Sequence, residues 1–260
     1  MKWFLVWLFF PFLLMADAAF QLAILGHPEW AALVTAELSR VDGIWLLERS
    51  HITQVLKEHR LAEKGLSEEQ LRKLFPHTDF FALIDEKRVL VFNAKNGFRL
   101  ADSEHADNIK TMAGEICRAI AKTGQTDPVY LATLAIHDVG VPHRLRDRLP
   151  EAVDAIERCL LTNQRIQILE RNRLGLVTSE RSLSGTAFAL TPSARLLVFE
   201  FEPGETGGVV NVVVTIHDLN RQEIGRLKID DVLQNDSAIR QCANTIQKHL
   251  LTANGQKKGE

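Results

Sequence analysis

The sequence predicts an α/β (α+β) protein of two tandem mixed-sheet domains, each with the element order β-α-β-α-β-β-β-α. Three observations predict it: an internal duplication, strands that alternate with helices, and a hairpin before the last helix of each copy. The duplication is plainest where residues 44–50 (IWLLERS) return as residues 166–172 (IQILERN), 122 positions later. At the same offset Pro28 returns as Pro150 and Leu61 as Leu183. A fixed offset without gaps indicates a tandem repeat.

The first repeat is predicted over residues 20–123. A short apolar run that ends at Gly26 is typical of a buried strand, and Pro28 lies in the first turn of the next helix. A second strand ends at Glu48-Arg49, and Ser50 is the expected N-cap of the helix that follows. The remaining elements are a helix at 66–74, strands at 80–84 and 88–92, a hairpin turn at Asn96-Gly97 with a return strand at 98–100, and a closing helix at about 104–122.

The second repeat, predicted over residues 129–252, follows a linker at 124–128 and precedes a disordered tail at 253–260. Its second helix is expected to be degraded, because the segment 184–193 is short and contains Pro192. Its predicted elements are a strand at 129–136, a helix at 144–161, strands at 166–169 and 196–201, a hairpin of 209–216 with 223–229, and a helix at 237–251.

Residues 1–18 have the pattern of a secretory signal peptide. Lys2 precedes an apolar run from Trp3 to Met15, and Ala16-Asp17-Ala18 is a small-residue cleavage site. An uncleaved anchor is the alternative, although the run is short for a membrane span. No cysteine follows the run to accept a lipid, and no later segment approaches the roughly 20 apolar residues of a spanning helix. We therefore expect a periplasmic or otherwise exported chain that has no integral membrane segment after cleavage.

Composition narrows the classes of function. A formal net charge of -2 and the lack of a basic cluster argue against nucleic acid as a partner. The three cysteines, Cys117, Cys159 and Cys242, each lie in an apolar helical pattern, which favours a role as small buried hydrophobic residues. A disulfide between Cys117 and Cys242 is the alternative. No Cys/His spacing is typical of zinc, so the sequence predicts no metal and no cofactor.

The duplicated Glu-Arg pair is the main candidate site. Glu48, Arg49 and Ser50 are expected at a strand-to-helix elbow, and the second copy places its own elbow at Glu170, Arg171 and Asn172. A carboxylate and a guanidinium at such an elbow stabilise it by charge-assisted hydrogen bonds. Because no nucleophile or base stands beside either pair, a structural role is favoured over a catalytic one.

A weaker candidate is a cleft with histidines. His27 and His137-Asp138 each end the first strand of a repeat, and strand ends line the ligand clefts of many α/β sheets. Two histidines there would suit a metal or a proton relay, but no spaced third ligand accompanies them. Neither residues 182–185 nor the glycine-rich residues 204–208 match a nucleophile elbow or a phosphate loop.

The elbow also carries a family resemblance. Residues 47–58 (LERSHITQVLKE) resemble the strand-to-helix junction of the CsgG-like family of curli assembly and transport proteins. In the second copy, residues 169–172 and 182–185 resemble the same motif and its Leu-Ser-Gly continuation, and residues 77–82 resemble the family's Asp-aromatic strand start. The amino-terminal domain of TolB and the lipoprotein activators of penicillin-binding proteins are similar in fold. The resemblance implies two copies of a periplasmic interaction domain without the lipid-accepting cysteine or the pore.

The expected function is therefore non-enzymatic. The chain is predicted to act by protein–protein contact in a cell-envelope assembly or transport system, with envelope proteins or further copies of itself as partners. The alternative is an exported small-ligand-binding protein or hydrolase that uses the cleft between the repeats.

Overall fold

One continuous mixed sheet flanked by helices forms the described part of the protein, which confirms the predicted α/β class. The computed structural model describes residues 20–58, 71, 73–85, 88–104, 108–169, 194–205, 209–218, 220–233 and 236–255. The predicted signal peptide at 1–18 and the segment 184–193, where the second helix of the second copy was expected to be degraded, lie outside these residues.

The first half of the chain follows the predicted order. Its described elements are β1 (Phe20–Gly26), α1 (Pro28–Leu38), β2 (Ile44–Leu46), α2 (Arg49–Glu58), β3 (Phe80–Ile84), β4 (Arg88–Asn93), β5 (Phe98–Glu104) and α3 (Ile109–Ala121). Of the helix predicted at 66–74, residues 71, 73 and 74 are described and are helical. A short 3-10 turn, Lys122–Gly124, leads to the second half.

The second half begins at Val129. Its described elements are β6 (Val129–Asp138), α4 (His143–Arg146), α5 (Arg148–Leu161), β7 (Ile166–Leu169), β8 (Arg195–Pro203), β9 (Val210–His217), β10 (Glu223–Ile229) and α6 (Asp236–Gly255).

Both halves repeat one strand order. The sheet runs β10-β9-β8-β6-β7-β5-β4-β3-β1-β2, so each half places its second strand beside its first, followed by its third, fourth and fifth. The pairing register repeats as well. Phe20 pairs with Ile44 in the first half, and Val129 pairs with Ile166 in the second, which retains the 122-residue offset at Ile44 and Ile166.

Even an irregularity of the hairpin occurs in both halves. In β5 the residue Leu100 is an extra residue between the paired positions Arg99 and Ala101. In β10 the extra residue is Ile224, between Glu223 and Gly225. A β-bulge inserts one residue and bends the strand that carries it, and here both hairpins have it at the equivalent place.

The two copies share a single sheet, whereas the sequence predicted one sheet in each domain. The join is an antiparallel pairing of β5 with β7, in which Phe98 pairs with Leu169 and Arg99 with Ile168. Each of these strands would otherwise present unpaired backbone N–H and C=O groups, which a second strand satisfies. We call this junction between the halves the seam.

The antiparallel join places the helices of the two halves on opposite faces. Leu100 packs with α1 and α3 in the core of the first half. Arg99 precedes it and so points to the other face, together with its cross-strand neighbour Ile168. Ile168 packs in the core formed by α5 and α6. Strand direction and face therefore both reverse from one half to the other.

Several helix ends differ from prediction. The helix predicted at 144–161 breaks at Asp147, because Pro150 has no N–H and its ring clashes with the carbonyl four residues earlier. The helix predicted from 104 begins at Ile109, where the Asn108 side chain accepts a hydrogen bond from the N–H of Thr111 at 3.1 Å. The last helix continues past the predicted end at Leu251 to Gly255, and it ends at Asn254-Gly255, a residue pair typical of helix ends.

Candidate functional site

Each end of the described sheet is a strand with a neighbour on one side only. Among the described strands β2 pairs only with β1, and β10 pairs only with β9. Edge strands present unpaired backbone groups that another chain can join. Both edges also expose an apolar side chain, and we call the two strands with those side chains the β2 edge and the β10 edge.

Trp45 is the exposed residue of the β2 edge, with 69% of its surface accessible. Its neighbours Ile44 and Leu46 pack against the core of the first half, so alternation directs Trp45 away from α1 and α3. The equivalent residue in the second half is Gln167, which is 3% exposed and donates its amide N–H to the carbonyl of Lys122 at 3.4 Å. The same position is thus covered at the seam and uncovered at the end of the sheet.

Ile224 gives the β10 edge the same property. It is 40% exposed, whereas the equivalent bulge residue Leu100 is fully buried. The carbonyl of Leu100 accepts a hydrogen bond from the Lys122 ammonium at 2.6 Å. Each half therefore buries an edge position only where the other half lies beside it.

The seam shows what such a joint contains. Arg99 of β5 donates to the carboxylate of Glu157 on α5 and, at 3.3 Å, to Asp102. Arg88 donates two hydrogen bonds of 2.8 Å to the carboxylate of Asp102, and the hydroxyl of Thr133 donates to Glu157 at 2.6 Å. The carboxylates of Asp102 and Glu157 are fully buried. A buried charge needs partners of this kind, so the network fixes α5 of the second half on β5 of the first.

Lys122 is a second side chain that joins the two halves at the seam. Its ammonium donates to the carbonyls of Leu100 and Leu161, which belong to different halves. Burial lowers the pKa of Lys122 from 10.5 to about 8, against a smaller opposing effect of Glu115. The side chain is committed to backbone acceptors, and its role is to join the halves.

A cavity of about 150 Å³ lies at this seam, between Asp102, Arg118, Lys122 and Arg158. Ligand sites are usually about 300–1,000 Å³ in volume. The polar groups of Asp102 and Lys122 already have protein partners. This cavity lies between the two repeats, where the alternative expectation placed a cleft, and its volume is below that of a usual ligand site.

The structure does not bring His27 together with His137 and Asp138. β1 and β6 lie five strands apart, about 24 Å at the usual strand spacing, and they run in opposite directions. The carboxyl ends of β1 and β6 therefore lie at opposite ends of the strands of the sheet. Asp138 accepts the N–H of Val141 at 2.7 Å and pairs with Arg146 at 2.6 Å, which stabilises its own loop. His27 is the N-cap residue of α1, and its N–H donates to the carbonyl of Ile84 at 2.9 Å.

Only part of the predicted elbow lies within the described residues. The α2 helix begins at Arg49, and the N–H of Ile52 donates to the carbonyl of Glu48 at 3.0 Å, so Glu48 occupies the N-cap position expected for Ser50. The last hydrogen bond between β2 and β1 runs from the N–H of Leu47 to the carbonyl of Leu22, and α2 begins two residues later, at Arg49. The Ser50 hydroxyl donates to the Glu48 carboxylate at 3.2 Å. The Arg49 side chain and Glu170, Arg171 and Asn172 lie outside the described residues.

The cysteines do not form the alternative disulfide. Cys117 packs in the core of the first half, whereas Cys242 is buried in the core of the second, on the other face of the sheet. All three cysteines are free. Burial raises the pKa of Cys242 to about 12, so its thiol is the unreactive, buried kind that the sequence favoured.

No protein-family model matches the chain, and no curated protein matches it. In the part that the structure describes, no helix is both long and apolar enough to cross a membrane. The same residues contain no cluster of three or more His, Cys, Asp or Glu side chains that would hold a metal ion.

Sequence reasoning missed both edges and the seam, although one signal was present. Within the duplicated heptapeptide, an apolar Trp45 stands where the second copy has the polar Gln167. A tryptophan at the polar position of an amphipathic strand indicates a surface that binds something. The seam residues Arg99 and Glu157 are 58 positions apart, and no local pattern joins them.

Proposed function

We propose that this chain is an exported, non-enzymatic protein that acts by protein–protein contact in a cell-envelope assembly or transport system. The β2 edge is its contact surface. A partner strand that pairs with β2 satisfies the exposed backbone groups and covers the Trp45 side chain. The CsgG-like motifs and the signal-peptide pattern supply the envelope assignment.

The exposure of Trp45 is the observation that carries this proposal. Tryptophan is among the residues that contribute most to binding at protein interfaces, because it buries a large area with little loss of conformational freedom. At 69% exposure the side chain adds little to the stability of the chain itself. Its position on an edge strand joins an apolar anchor to a row of backbone donors and acceptors.

Affinity capture tests the contact surface. The chain and its Trp45→Asp variant are used to capture proteins from an envelope extract, and Val139→Asp is the matched control because Val139 is 56% exposed in a loop away from both edges. We expect Trp45→Asp to lower partner recovery about tenfold or more, the usual loss for an aromatic anchor. Recovery should be unchanged for Val139→Asp. Equal recovery with all three proteins would contradict the assignment of the β2 edge.

A further inference from the structure

We propose that a second copy of this chain binds at the β2 edge, through antiparallel pairing with its own β10 edge. The ten-stranded sheet then continues head to tail from one copy to the next. This inference rests on the proposed role of the β2 edge as a contact surface, and it names the occupant of that edge.

The internal seam is the template. It joins the last strand of one half, β5, to the second strand of the other, β7. The two free edges are the corresponding strands: β10 is the last strand of the second half and β2 is the second strand of the first half. The chain thus already contains one copy of the joint that two chains would form. The two outer strands of its sheet, β10 and β2, are the two surfaces of that joint.

Register makes the correspondence specific. Phe92 pairs with Arg99 in the first half, and its counterpart His217 pairs with Glu223 in the second, so Glu223 corresponds to Arg99. Leu46 corresponds to Ile168 at the 122-residue offset. Since Arg99 pairs with Ile168 at the seam, Glu223 of one copy is placed opposite Leu46 of the next.

One residue further along, the two exposed apolar side chains meet. The seam pairs Phe98 with Leu169 and Arg99 with Ile168, and the same antiparallel register continued by one residue sets Leu100 beside Gln167. Their counterparts at the free edges are Ile224 and Trp45. Both are exposed in the single chain. Trp45 points away from α1 and α3, and Ile224 takes the orientation of its counterpart Leu100, toward the helices of its own half, so both lie on the side of the sheet that carries α5 and α6. Pairing covers the two together.

The β10 edge carries three charged side chains, Glu223, Arg226 and Lys228, and the two cations are compensated within the chain. Charged side chains on an edge strand commonly block association. Here Arg226 and Lys228 instead reach across the face of their own sheet to Glu200 at 3.5 Å and Glu202 at 2.6 Å. Their charges are compensated within the chain.

The joint between copies is weaker than the seam. Glu223 takes the place of Arg99, and Thr35 takes the place of Glu157 at the 122-residue offset, so the buried ion pair has no counterpart. β2 contributes three residues. Association is therefore expected to depend on protein concentration, and because the two surfaces differ, it leads to an open chain or a ring rather than a closed two-fold dimer.

Cysteine crosslinking between two variants tests the geometry. The Trp45→Cys chain is mixed with the Ile224→Cys chain under mild oxidation, since opposed residues of an antiparallel pair have a Cα separation that suits a disulfide. We expect the mixture to form more than ten times as much disulfide-linked dimer as either variant forms alone. Native chain and a Val139→Cys with Ile224→Cys mixture are the controls, and they report any crosslinking by the three natural cysteines.

Other crosslinking outcomes overturn the proposal. Dimers of Trp45→Cys with itself, in excess of the mixed species, would mean that two β2 edges meet. Mixed dimers no more abundant than in the Val139→Cys control would mean that the edges do not meet at all.

Sedimentation of the unmodified chain separates this proposal from the proposed function. The mean mass should rise with concentration, and Trp45→Asp and Ile224→Asp should each abolish the rise while Val139→Asp does not. A chain that stays monomeric at every concentration, while Trp45→Asp still loses envelope partners, would overturn self-pairing and leave the contact function standing. Far-UV circular dichroism of each variant verifies that it is folded.

Discussion

At the scale of single residues, buried charged side chains join the two halves. Lys122 is 3% exposed and donates to one carbonyl from each half. Arg99 meets the fully buried Glu157 across the same seam. Neither side chain is exposed enough to meet a substrate. Because both charges are buried, removal of their partners would lower the free energy of unfolding strongly.

The buried Lys122 predicts an unusual dependence of stability on pH. Because burial lowers its pKa to about 8 in the folded chain, against 10.5 for the ordinary group, the unfolded chain binds more protons between these values. The free energy of unfolding must then rise with pH across this interval, by up to about 3 kcal/mol, as the cost of burying the ammonium disappears. Below pH 8 that cost is constant.

Urea unfolding at pH 7, 8, 9 and 10 measures this contribution as the difference between the native chain and Lys122→Met. The difference should increase by about 2–3 kcal/mol in favour of the native chain from pH 7 to pH 10. Subtraction removes the opposite trend from the cysteines, whose pKa values are raised by burial. Lys110→Met, at an exposed lysine of α3, is the control. A difference that stays constant with pH would show that Lys122 keeps its charge in the fold.

At the scale of elements, two glycines have opposite roles. Gly26 ends β1 with φ of +111°, and a Cβ at this position would meet the carbonyl of Ile84. Gly114 lies inside α3, where an added Cβ meets no atom within 4 Å. The first glycine is required by the close approach of β1 and β3, whereas the second only weakens its helix.

Alanine at the two glycines should therefore have effects of opposite sign. Gly26→Ala combines a strained φ with a backbone clash, and we expect it to lower the free energy of unfolding by about 3 kcal/mol or more. Gly114→Ala should raise it by about 0.5–1 kcal/mol, because alanine loses less conformational entropy in a helix. Chemical denaturation of both variants measures the pair. A loss of stability in Gly114→Ala, or none in Gly26→Ala, would contradict this account of the backbone.

Local patterns predicted the elements themselves and failed where distant residues decide. The apolar runs of β1 and β3, the Asn-Gly hairpin turn and the 122-residue offset are all readable along the chain, and the strands formed where they indicated. The break at Asp147 follows from Pro150, which has no N–H to donate to the carbonyl of Arg146. The join of β5 to β7 depends on which edges remain open after folding, and the sequence of either strand alone does not contain that information.

The candidate site shows the same division. The Glu48 elbow was predicted at the correct strand-to-helix junction. The pairing of His27 with His137 failed because strand-end reasoning assumes that the first strands of both repeats run in the same direction. The antiparallel seam reverses the strand direction of the second half. Equivalent residues of the two halves therefore lie at opposite ends of the strands.

At the scale of the whole molecule, the seam makes one folding unit of two copies. The sheet passes through it with two paired residues in each strand, so backbone pairing contributes little there. The coupling must come from side chains: the ion pair of Arg99 with Glu157, the Lys122 bonds, and the rings of Phe98 and Tyr130, whose centroids are 4.9 Å apart. The halves should unfold together while these contacts persist.

Two optical probes can test the coupling, because the aromatic residues are unevenly distributed. Trp30 and Trp45 belong to the first half, and the other two of the four tryptophans, Trp3 and Trp7, fall in the predicted signal peptide. Tryptophan fluorescence of the chain without that peptide therefore reports the first half, whereas far-UV circular dichroism reports both. In urea the two transitions should coincide for the native chain.

Removal of the seam's central charge should separate these transitions. Arg99→Met leaves the fully buried Glu157 without its cation, at a cost of about 3–5 kcal/mol that falls on the contact between the halves. We expect the fluorescence and dichroism midpoints to diverge in this variant. They should remain together in Arg40→Met, which breaks an exposed pair with Glu37 on α1 worth less than about 1 kcal/mol. If the two probes still coincide in Arg99→Met, with only a lower midpoint, then the backbone join and the ring contact hold the halves together without the buried charge.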